Sequence, residues 1–386
     1  MSAAAASPGT APSSWFQRFL LPGFAFKAVV IGGGYATGRE LAEFFLPSGP
    51  WGGLAAMLLA MAAWSLVCAL TFLIAHVARA YDYRSFFRVL LGPAWIVFEL
   101  AYVLFVVLIL AVFGAAAGEI ARATLGLPPL VGTIALATAI AGFATFGNAA
   151  VEGLFKWVSF LLYGVYALFV VLALSRFGDR IVANFAAAAT PAGDWALGGL
   201  TYASYNVVGA VVILPVIRHL TSRRDAIAAG IIAGPLAMLP ALLFFVSMIA
   251  FHPGIANETL PSDFMLRQLG NPLFHFAFQV MIFAALLESG TGSVHAINER
   301  IDAVWRARGR NPLSYRARAL LTVALLIGCI FIADAVGLVA LIGSGYRILA
   351  YTILAVYVVP LLAVGLSRLR RDERATATAA VQEATP

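Results

Sequence analysis

The stretch Ile31-Gly32-Gly33-Gly34-Tyr35-Ala36-Thr37-Gly38-Arg39-Glu40 interrupts the first long apolar run of the chain. An interior glycine weakens a helix by about 1 kcal/mol relative to alanine, so the glycine run followed by Gly38 favours local unwinding. Inside a bilayer, unwound backbone is tolerated only where it lines a cavity or meets a ligand. We therefore predict a first membrane span broken within residues 31–38, with carbonyl groups offered to a cation and N–H groups to a carboxylate.

The same glycines allow a second interpretation. Gly34 and Gly38 have the small-x-x-x-small spacing that lets two membrane helices pack closely, which requires no unwinding. The stretch also has the spacing of a phosphate-binding loop, but Arg39 and Glu40 stand where that motif needs Lys and Ser or Thr. ATP-driven transport by this chain alone is therefore excluded.

The composition around this stretch is that of an all-α polytopic membrane protein. Of the 386 residues, 62% are hydrophobic and 11% are charged, whereas a soluble domain keeps about a quarter of its residues charged. Spans of about 20 apolar residues predict ten membrane helices, five in each half. The predicted domains are a disordered cytoplasmic tail at 1–17, a transporter domain at 18–366 with repeats at about 18–176 and 194–366, and a disordered cytoplasmic tail at 367–386.

The basic residues predict the orientation of the chain in the membrane. The 25 Lys and Arg give a net charge of +7, and most fall on one side when the N-terminus is placed inside. By the positive-inside rule, both termini are cytoplasmic and the protein lies in the cell (inner) membrane. The arginine-rich loop 299–318 is interpreted in the same way, so the expected partners are the lipid bilayer and a small solute, with no nucleic acid. The oligomeric state is left open.

The sixth predicted span carries polar residues within an apolar run. Tyr202, Ser204, Tyr205 and Asn206 lie between glycines, and we predict unwinding within residues 201–209. Discontinuous helices at the same position of two five-helix halves are typical of an inverted-repeat transporter with a site at the bilayer midplane. Packing is the alternative for any single tyrosine. The long external segment 252–271 is expected to carry a short surface helix.

Polar residues in the eighth span indicate where a coupling ion binds. Glu288 is a functional candidate because a charge inside the membrane needs a cavity or a partner. Ser289 and Ser293 stand one turn apart, so their hydroxyls either join first-span carbonyls as sodium ligands or bond only their own helix backbone. Lys156, at the start of the fifth span, either gains and loses a proton during transport or extends to the membrane interface.

Two further charge pairs are candidates for gates. Arg39 and Glu40 are expected to form an outer-gate pair. Lys27 and Glu99 lie nearer the cytoplasmic ends of the first and third spans, where a gating ion pair and plain interfacial anchoring are the two interpretations.

Sequence motifs of enzymes are missing from the chain. It has no His-Glu-x-x-His zinc motif, no Gly-x-Ser-x-Gly nucleophile elbow and no Cys-x-x-Cys pair. We therefore expect a protein that is not an enzyme and has no cofactor or transition-metal site. The only ion expected is a sodium ion or a proton used for coupling.

The chain resembles the YkvI-like membrane proteins, an amino-acid permease branch related to the amino acid–polyamine–organocation superfamily. The resemblance covers most of residues 18–366 and rests on 32–40, 202–206 and Leu287-Glu288-Ser289-Gly290-Thr291-Gly292. It implies a LeuT-like 5+5 inverted repeat with discontinuous helices 1 and 6 and with substrate between helices 1, 3, 6 and 8. By the same resemblance, Ser289 and Ser293 correspond to part of a sodium site, and Lys156 to the lysine of proton-coupled relatives.

These observations predict a secondary active transporter of a small organic solute, an amino acid or related zwitterion, driven as a symporter by sodium or protons. Tyr35, Tyr205 and Asn206 are expected to shape selectivity. The alternative is a membrane nutrient sensor that binds the solute without moving it, and a channel is disfavoured because no ring of pore-lining charges repeats along the chain. The candidate substrate-binding residues are Gly32, Gly33, Gly34, Tyr35, Gly38, Tyr202, Tyr205 and Asn206.

Overall fold

A computed structural model describes residues 14–31, 33–146, 148–189 and 194–371. This part of the chain is almost entirely helical. Its α-helices are α1 (Leu21–Val30), α2 (Gly33–Ala36), α3 (Arg39–Phe44), α4 (Gly49–Ala78), α5 (Tyr83–Leu91), α6 (Trp95–Leu125), α7 (Pro129–Phe146), α8 (Asn148–Ala187), α9 (Trp195–Asn206), α10 (Val208–Val212), α11 (Arg223–Ile249), α12 (Pro261–Leu269), α13 (Pro272–Ala307), α14 (Tyr315–Val336), α15 (Leu338–Ala340) and α16 (Tyr346–Ile353). Shorter 3₁₀ or π segments are Phe16–Leu20, Leu46–Ser48, Gly92–Ala94, Leu214–His219, Gly254–Asn257, Leu341–Gly345, Leu354–Val358 and Leu361–Gly365.

The helical segments correspond to the predicted spans. The first span is α1–α3, the sixth is α9–α10, and the tenth begins at α15; the others are α4, α6, α7, α8, α11, α13 and α14. In the described part, seven helical stretches, some of which join two or more of these elements, are long and apolar enough to cross a membrane. They are Arg39–Ala78, Tyr83–Leu125, Leu161–Ala187, Arg223–Ile249, Pro272–Arg306, Tyr315–Val336 and Leu338–Arg371. The count of ten crossings stays a prediction, because the inner part of the first span and the sixth span are short pieces and Pro129–Ala144 is a shorter apolar helix.

The tail boundaries differ from the predicted ones. Helical turns begin at Phe16 and continue to Arg371, so a few residues of the predicted tails 1–17 and 367–386 are helical. Helix thus extends beyond the apolar run, over Ser367, Arg368 and Arg371 among others.

Polar caps set the helix ends in the loops. Asp82, Ser222, Asn271 and Ser314 each accept a hydrogen bond from a backbone N–H three residues later, at the starts of α5, α11, α13 and α14. Such side chains satisfy N–H groups that have no partner within the helix. Glycine ends one of the long helices: after α6, Gly126 adopts φ +67°, a left-handed conformation that stops the helix.

The first span is broken, as its glycines predict. α1 ends at Val30, Ile31 has non-helical backbone angles, and α2 is a single turn. Gly38 then adopts φ +77° before α3 begins at Arg39. A Cβ atom at Gly38 would lie 2.5 Å from a ring carbon of Phe244, so both the backbone angle and the close contact require glycine there.

The sixth span is less interrupted than expected. The predicted unwinding across 201–209 is wrong, because α9 runs to Asn206 and the Val207 N–H still donates to the Ala203 carbonyl at 3.1 Å. The interruption is a single turn at Val207, and regular α-helix stops at Val212 before a 3₁₀ segment. The Asn206 amide donates to the Tyr202 carbonyl and so reinforces the helix that it was expected to open.

The helices pack as two groups. In one, α4 contacts α9 and α11, and α11 contacts α1; in the other, α13 contacts α6, α7, α8 and α14, and α8 also contacts α11 of the first group. Small residues let α4 and α11 approach closely: a Cβ at Gly230 would lie 2.3 Å from Ala69, and one at Gly234 2.2 Å from the Ser65 hydroxyl. The long helices therefore form two groups that meet where α8 contacts α11.

The long connection after α11 contains the expected short helix, α12, preceded by the 3₁₀ turn Gly254–Asn257. This connection is bonded to the broken first span. The Ser262 N–H donates to the Thr37 carbonyl at 3.0 Å, which is one of the carbonyl groups that the break at Gly38 frees from the helix. The outer part of the first span is therefore held by the loop between α11 and α13.

Candidate functional site

A cavity of about 380 Å³ lies between the two helix groups, next to the break in the first span. Residues 28–31 at the end of α1 and Glu40 of α3 form one side. The remaining wall comes from α6, α8, α9, α10, α13 and Tyr346 of α16. Six of the predicted site residues line it, namely Glu40, Tyr205, Asn206, Glu288, Ser289 and Ser293.

The cavity is closed at one end and accessible at the other. Near the loop that carries α12, Glu40, Tyr205 and Tyr346 are buried. Toward the start of α1, Asn206 and Ser293 are partly exposed, and Ala28 is exposed. The cavity is therefore closed at the Glu40–Tyr205 end and bordered at the other by residues that are at least partly exposed.

Glu40 meets Tyr205 at the closed end. The Tyr205 hydroxyl donates a hydrogen bond of 2.7 Å to Glu40 Oε2, and the exposed fraction of Glu40 is 4%. The Tyr205 ring lies 4.5 Å from the ring of Tyr346, centroid to centroid. A buried carboxylate needs such a donor, since an unpaired charge inside a membrane is costly.

The polar residues of α13 face the open part of the cavity. Glu288, Ser289 and Ser293 line it together with the last turn of α1. The Ser293 hydroxyl donates to the Ser289 carbonyl at 2.8 Å, which is the backbone bond that the alternative interpretation expects. The Ser293 hydroxyl oxygen keeps its lone pairs in this bond, so it can still accept a hydrogen bond or coordinate a cation.

Tyr35, Gly38 and Tyr202 lie outside the lining of this cavity. Tyr35 borders a second, almost wholly apolar cavity of about 420 Å³ with Lys27 and Tyr166. Tyr202 is fully buried against Phe45 and Trp64, at centroid distances of 4.8 and 5.5 Å.

The Tyr202 hydroxyl has no hydrogen-bond partner among the described residues. Buried polar groups nearly always have a partner. Because Tyr202 does not line the cavity, a water molecule is the expected partner of this hydroxyl.

The predicted outer-gate pair of Arg39 with Glu40 is wrong. Arg39 Nη2 contacts Glu43 Oε2 at 2.9 Å, and Nη1 donates to the carbonyls of Ala256 and Glu258 at 2.9 and 3.0 Å. Successive residues on a helix point in different directions, whereas residues four apart share a face. Arg39 therefore pairs with Glu43 and fastens the external loop, while Glu40 turns into the cavity.

The other predicted charge pair is also replaced. Glu99 pairs with Arg300 at 3.2 Å, and the Arg300 guanidinium lies 3.6 and 3.5 Å from the ring centroids of Tyr83 and Tyr102. Lys27 lies over the Tyr163 ring at 4.2 Å. The ion pair beside Tyr102 of the cavity wall is thus Arg300 with Glu99.

Some predicted site residues cannot be placed fully. Gly32 and the side chain of Lys156 lie outside the described part of the chain. Gly33 and Gly34 form the start of α2. Their assigned roles stay predictions.

Sequence reasoning missed several residues at the cavity and its ends. Tyr346 follows Gly343-Ser344-Gly345, a glycine pair in the tenth span that was available as a signal. Arg347 meets Glu43 at 3.7 Å, which supplies the carboxylate partner that an arginine in an apolar run requires. The stacking of Arg300 on Tyr83 and Tyr102 had no local sequence signal.

Comparison with known proteins agrees with this architecture. No protein-family model matches the chain. The membrane protein YkvI of Bacillus subtilis (strain 168) is 23% identical over 338 residues, covering 86% of this chain and 92% of YkvI, and is a distant homologue.

Among solved structures, MhsT in complex with L-phenylalanine matches with a TM-score of 0.59 and 16% identity, covering 92% of this chain and 87% of MhsT. A Na⁺-coupled sialic acid symporter in a substrate-bound outward-open state matches with a TM-score of 0.61 and 13% identity, covering 89% and 81%. The chain therefore has the LeuT-like fold of multi-pass membrane transporters, and its structural neighbours are transporters rather than enzymes.

Proposed function

We propose that this protein is a secondary active transporter that moves a small organic solute, an amino acid or related zwitterion, through the cavity by alternating access. A sodium or proton gradient drives the movement. The proposal depends chiefly on one observation: a cavity beside a broken membrane helix is closed at the Glu40–Tyr205 end and accessible at the other. Backbone interruptions at membrane depth are typical of transporter binding sites.

In this proposal the solute lies against the main chain of Gly32, Gly33 and Gly34, with Tyr205 and Asn206 in the wall. Tyr35, Gly38 and Tyr202 shape the break and the packing behind it. Ser289, Ser293 and Glu288 act in ion coupling, with Lys156 as the competing proton-coupled group. Arg39 and Glu40 contribute separately to closing the outer end.

The two packed units supply the moving parts. α1, α4, α9 and α11 rock against α6, α7, α8, α13 and α14, which opens the cavity alternately to the two sides. We propose ten crossings, with both termini in the cytoplasm, so the accessible end in this structure is the inward-facing one.

The test is uptake of radiolabelled solutes into proteoliposomes that contain the purified full chain, under imposed sodium or pH gradients. The solute panel contains amino acids and the amines that lack their carboxylates. We expect gradient-dependent accumulation that is abolished by an ionophore. Binding without accumulation under either gradient would favour the sensor, and the absence of both across the panel would overturn the proposal.

A further inference from the structure

A second cavity, of about 420 Å³, lies between the first span, α8 and α11. Its walls come from the first span between Lys27 and Tyr35, from α8 between Leu162 and Val171, and from α11 between Leu239 and Leu243. α1 and α11 belong to one helix group and α8 to the other. This space, the lateral cleft, therefore lies where the two groups meet.

The lateral cleft opens toward the hydrocarbon of the membrane. Val171 and Leu239 line it, and their exposed fractions are 61% and 55%. Both lie within apolar helices long enough to cross a membrane, Leu161–Ala187 and Arg223–Ile249. Exposed apolar side chains at that depth contact lipid chains, because no water is present there. The molecule that fills the cleft is therefore expected to come from the bilayer.

Lys27 is the charged residue of the cleft lining. The Tyr166 hydroxyl beside it is already engaged, since it donates to the Pro240 carbonyl at 3.0 Å. The Lys27 ammonium lies over the Tyr163 ring at 4.2 Å but makes no hydrogen bond or ion pair with a described residue. A cation within a membrane span is costly without an anion nearby. The cleft therefore has a place for an anionic group at Lys27.

The position of Lys27 gives the cleft a polar end and an apolar end. Lys27 is the seventh residue of α1, which places it about 9 Å along the helix from its start at 1.5 Å per residue. Its four-carbon stem lets the ammonium extend toward the membrane surface. Ile31 and Tyr35 follow farther along the same span. The charge thus lies nearer the surface and the apolar walls lie deeper, which is the polarity of a phospholipid.

We infer that the lateral cleft binds an anionic phospholipid. Lys27 receives the phosphate of the headgroup, and one acyl chain lies between α8 and α11. Basic groups in pockets between membrane helices bind anionic headgroups in this way. The site goes beyond the proposed transport and does not depend on it.

The headgroup decides which lipid binds. A chain that leaves the bilayer for the cleft gains little from burial, because lipid chains are as apolar as the cleft walls. It gains mainly dispersion contacts, and these are the same for any lipid with that chain. The contact with Lys27 favours a lipid with net negative charge by about fivefold in affinity.

The test compares phosphatidylglycerol with phosphatidylcholine carrying identical acyl chains. Each lipid is titrated onto the purified full chain in a neutral detergent, and the first lipid adduct is measured by native mass spectrometry. We expect phosphatidylglycerol to form this adduct at a concentration about fivefold lower than phosphatidylcholine.

One pair of variants tests the charge. Lys27→Gln is expected to weaken phosphatidylglycerol binding about fivefold and to leave phosphatidylcholine binding unchanged. The matched control is Arg308→Gln, which removes an exposed positive charge just after α13, away from the cleft. This control is expected to bind both lipids like the wild type.

A second pair of variants tests the cleft while Lys27 stays in place. Ala167→Phe fills the cleft from α8 and is expected to abolish the preference for phosphatidylglycerol, because the acyl chain no longer fits. Leu168→Phe is the control, since Leu168 is the next residue, is 48% exposed and does not line the cleft. It is expected to keep the preference.

Three results would overturn the inference. They are equal binding of the two lipids to the wild type, equal effects of Lys27→Gln and Arg308→Gln, and an unchanged lipid preference in Ala167→Phe. Since lipid binding is measured without flux, any of these results would leave the transporter proposal standing. A failure to detect transport would likewise leave the lipid site standing.

Discussion

The hydroxyl of Tyr205 lies 2.7 Å from Oε2 of Glu40, although the two residues are 165 positions apart. Glu40 follows the break in the first span, and Tyr205 lies one residue before the end of α9 in the sixth. The contact therefore joins α3 of the first half to α9 of the second at the closed end of the cavity. Opening the cavity at that end therefore requires either that this hydrogen bond breaks or that Glu40 and Tyr205 move together.

Tyr205→Phe tests this contact. The substitution leaves a buried carboxylate without its donor, so we expect a loss of about 1–3 kcal/mol in stability and reduced solute uptake. Tyr357→Phe is the matched control, because the Tyr357 hydroxyl makes a buried hydrogen bond of 2.6 Å with Thr71 away from the cavity. Thermal unfolding in detergent and proteoliposome uptake are measured for both. Equal uptake by the two variants would contradict a role for the Glu40 contact in transport.

The break in the first span was predictable because its cause is local. Consecutive glycines lower helix stability wherever the chain places them, and Gly38 needs a backbone angle that other residues avoid. The sixth span misled the same reasoning because Asn206 and Ser204 donate to their own helix, at the carbonyls of Tyr202 and Leu200. Polar side chains in an apolar run indicate a special environment but do not decide between an open backbone and a reinforced one.

Gly38→Ala is expected to destabilise the protein by about 1–2 kcal/mol for the left-handed backbone alone, with a further cost from the contact with Phe244. Gly164→Ala is the control, since a Cβ at Gly164 meets nothing within 4 Å. That variant is expected to keep or slightly raise the unfolding temperature, because alanine favours helix over glycine. Similar unfolding temperatures for the two variants would show that residue 38 tolerates a regular helix.

Arg39→Gln is expected to loosen the external loop. Arg39 is buried and holds Glu43 and the carbonyls of Ala256 and Glu258, and breaking a buried ion pair costs about 3 kcal/mol. Hydrogen–deuterium exchange should rise at residues 254–258. Arg267→Gln, which removes an arginine whose side chain is 53% exposed, is expected to cost no more than about 1 kcal/mol. Unchanged exchange in Arg39→Gln would argue against this fastening role.

The partners of charged residues were the least predictable feature of the site. The sequence indicated that Arg39 and Glu99 need partners, because charges in apolar runs are costly. The partners were decided by the three-dimensional packing: Arg300, which pairs with Glu99, comes from a different helix about two hundred positions away. A single sequence contains no signal for such pairings, whereas Glu288 and the serines of α13 stand out in their own segment.

The coupling ion is decided by comparing substitutions of Ser293 and Lys156. If sodium is the coupling ion, Ser293→Ala removes a hydroxyl ligand and raises the sodium concentration for half-maximal uptake, while Lys156→Ala leaves the pH profile unchanged. If protons drive uptake, Lys156→Ala abolishes the response to a pH gradient and Ser293→Ala has little effect. Uptake by wild type and both variants is measured against sodium concentration and pH. Identical profiles for all three would exclude both residues from coupling.

Ser293→Cys reports which side reaches the cavity. Ser293 lines the accessible part of the cavity, while the two native cysteines, Cys68 and Cys329, are buried. A membrane-impermeant maleimide is therefore expected to label Ser293→Cys only from the side of the termini, and to leave the wild type unlabelled. Thr291→Cys is the control two residues away on α13, where the side chain is fully buried. Labelling of Thr291→Cys at the same rate, or labelling of Ser293→Cys from the opposite side, would contradict an inward-facing cavity. Protection of Ser293→Cys by a transported solute would place that solute beside α13.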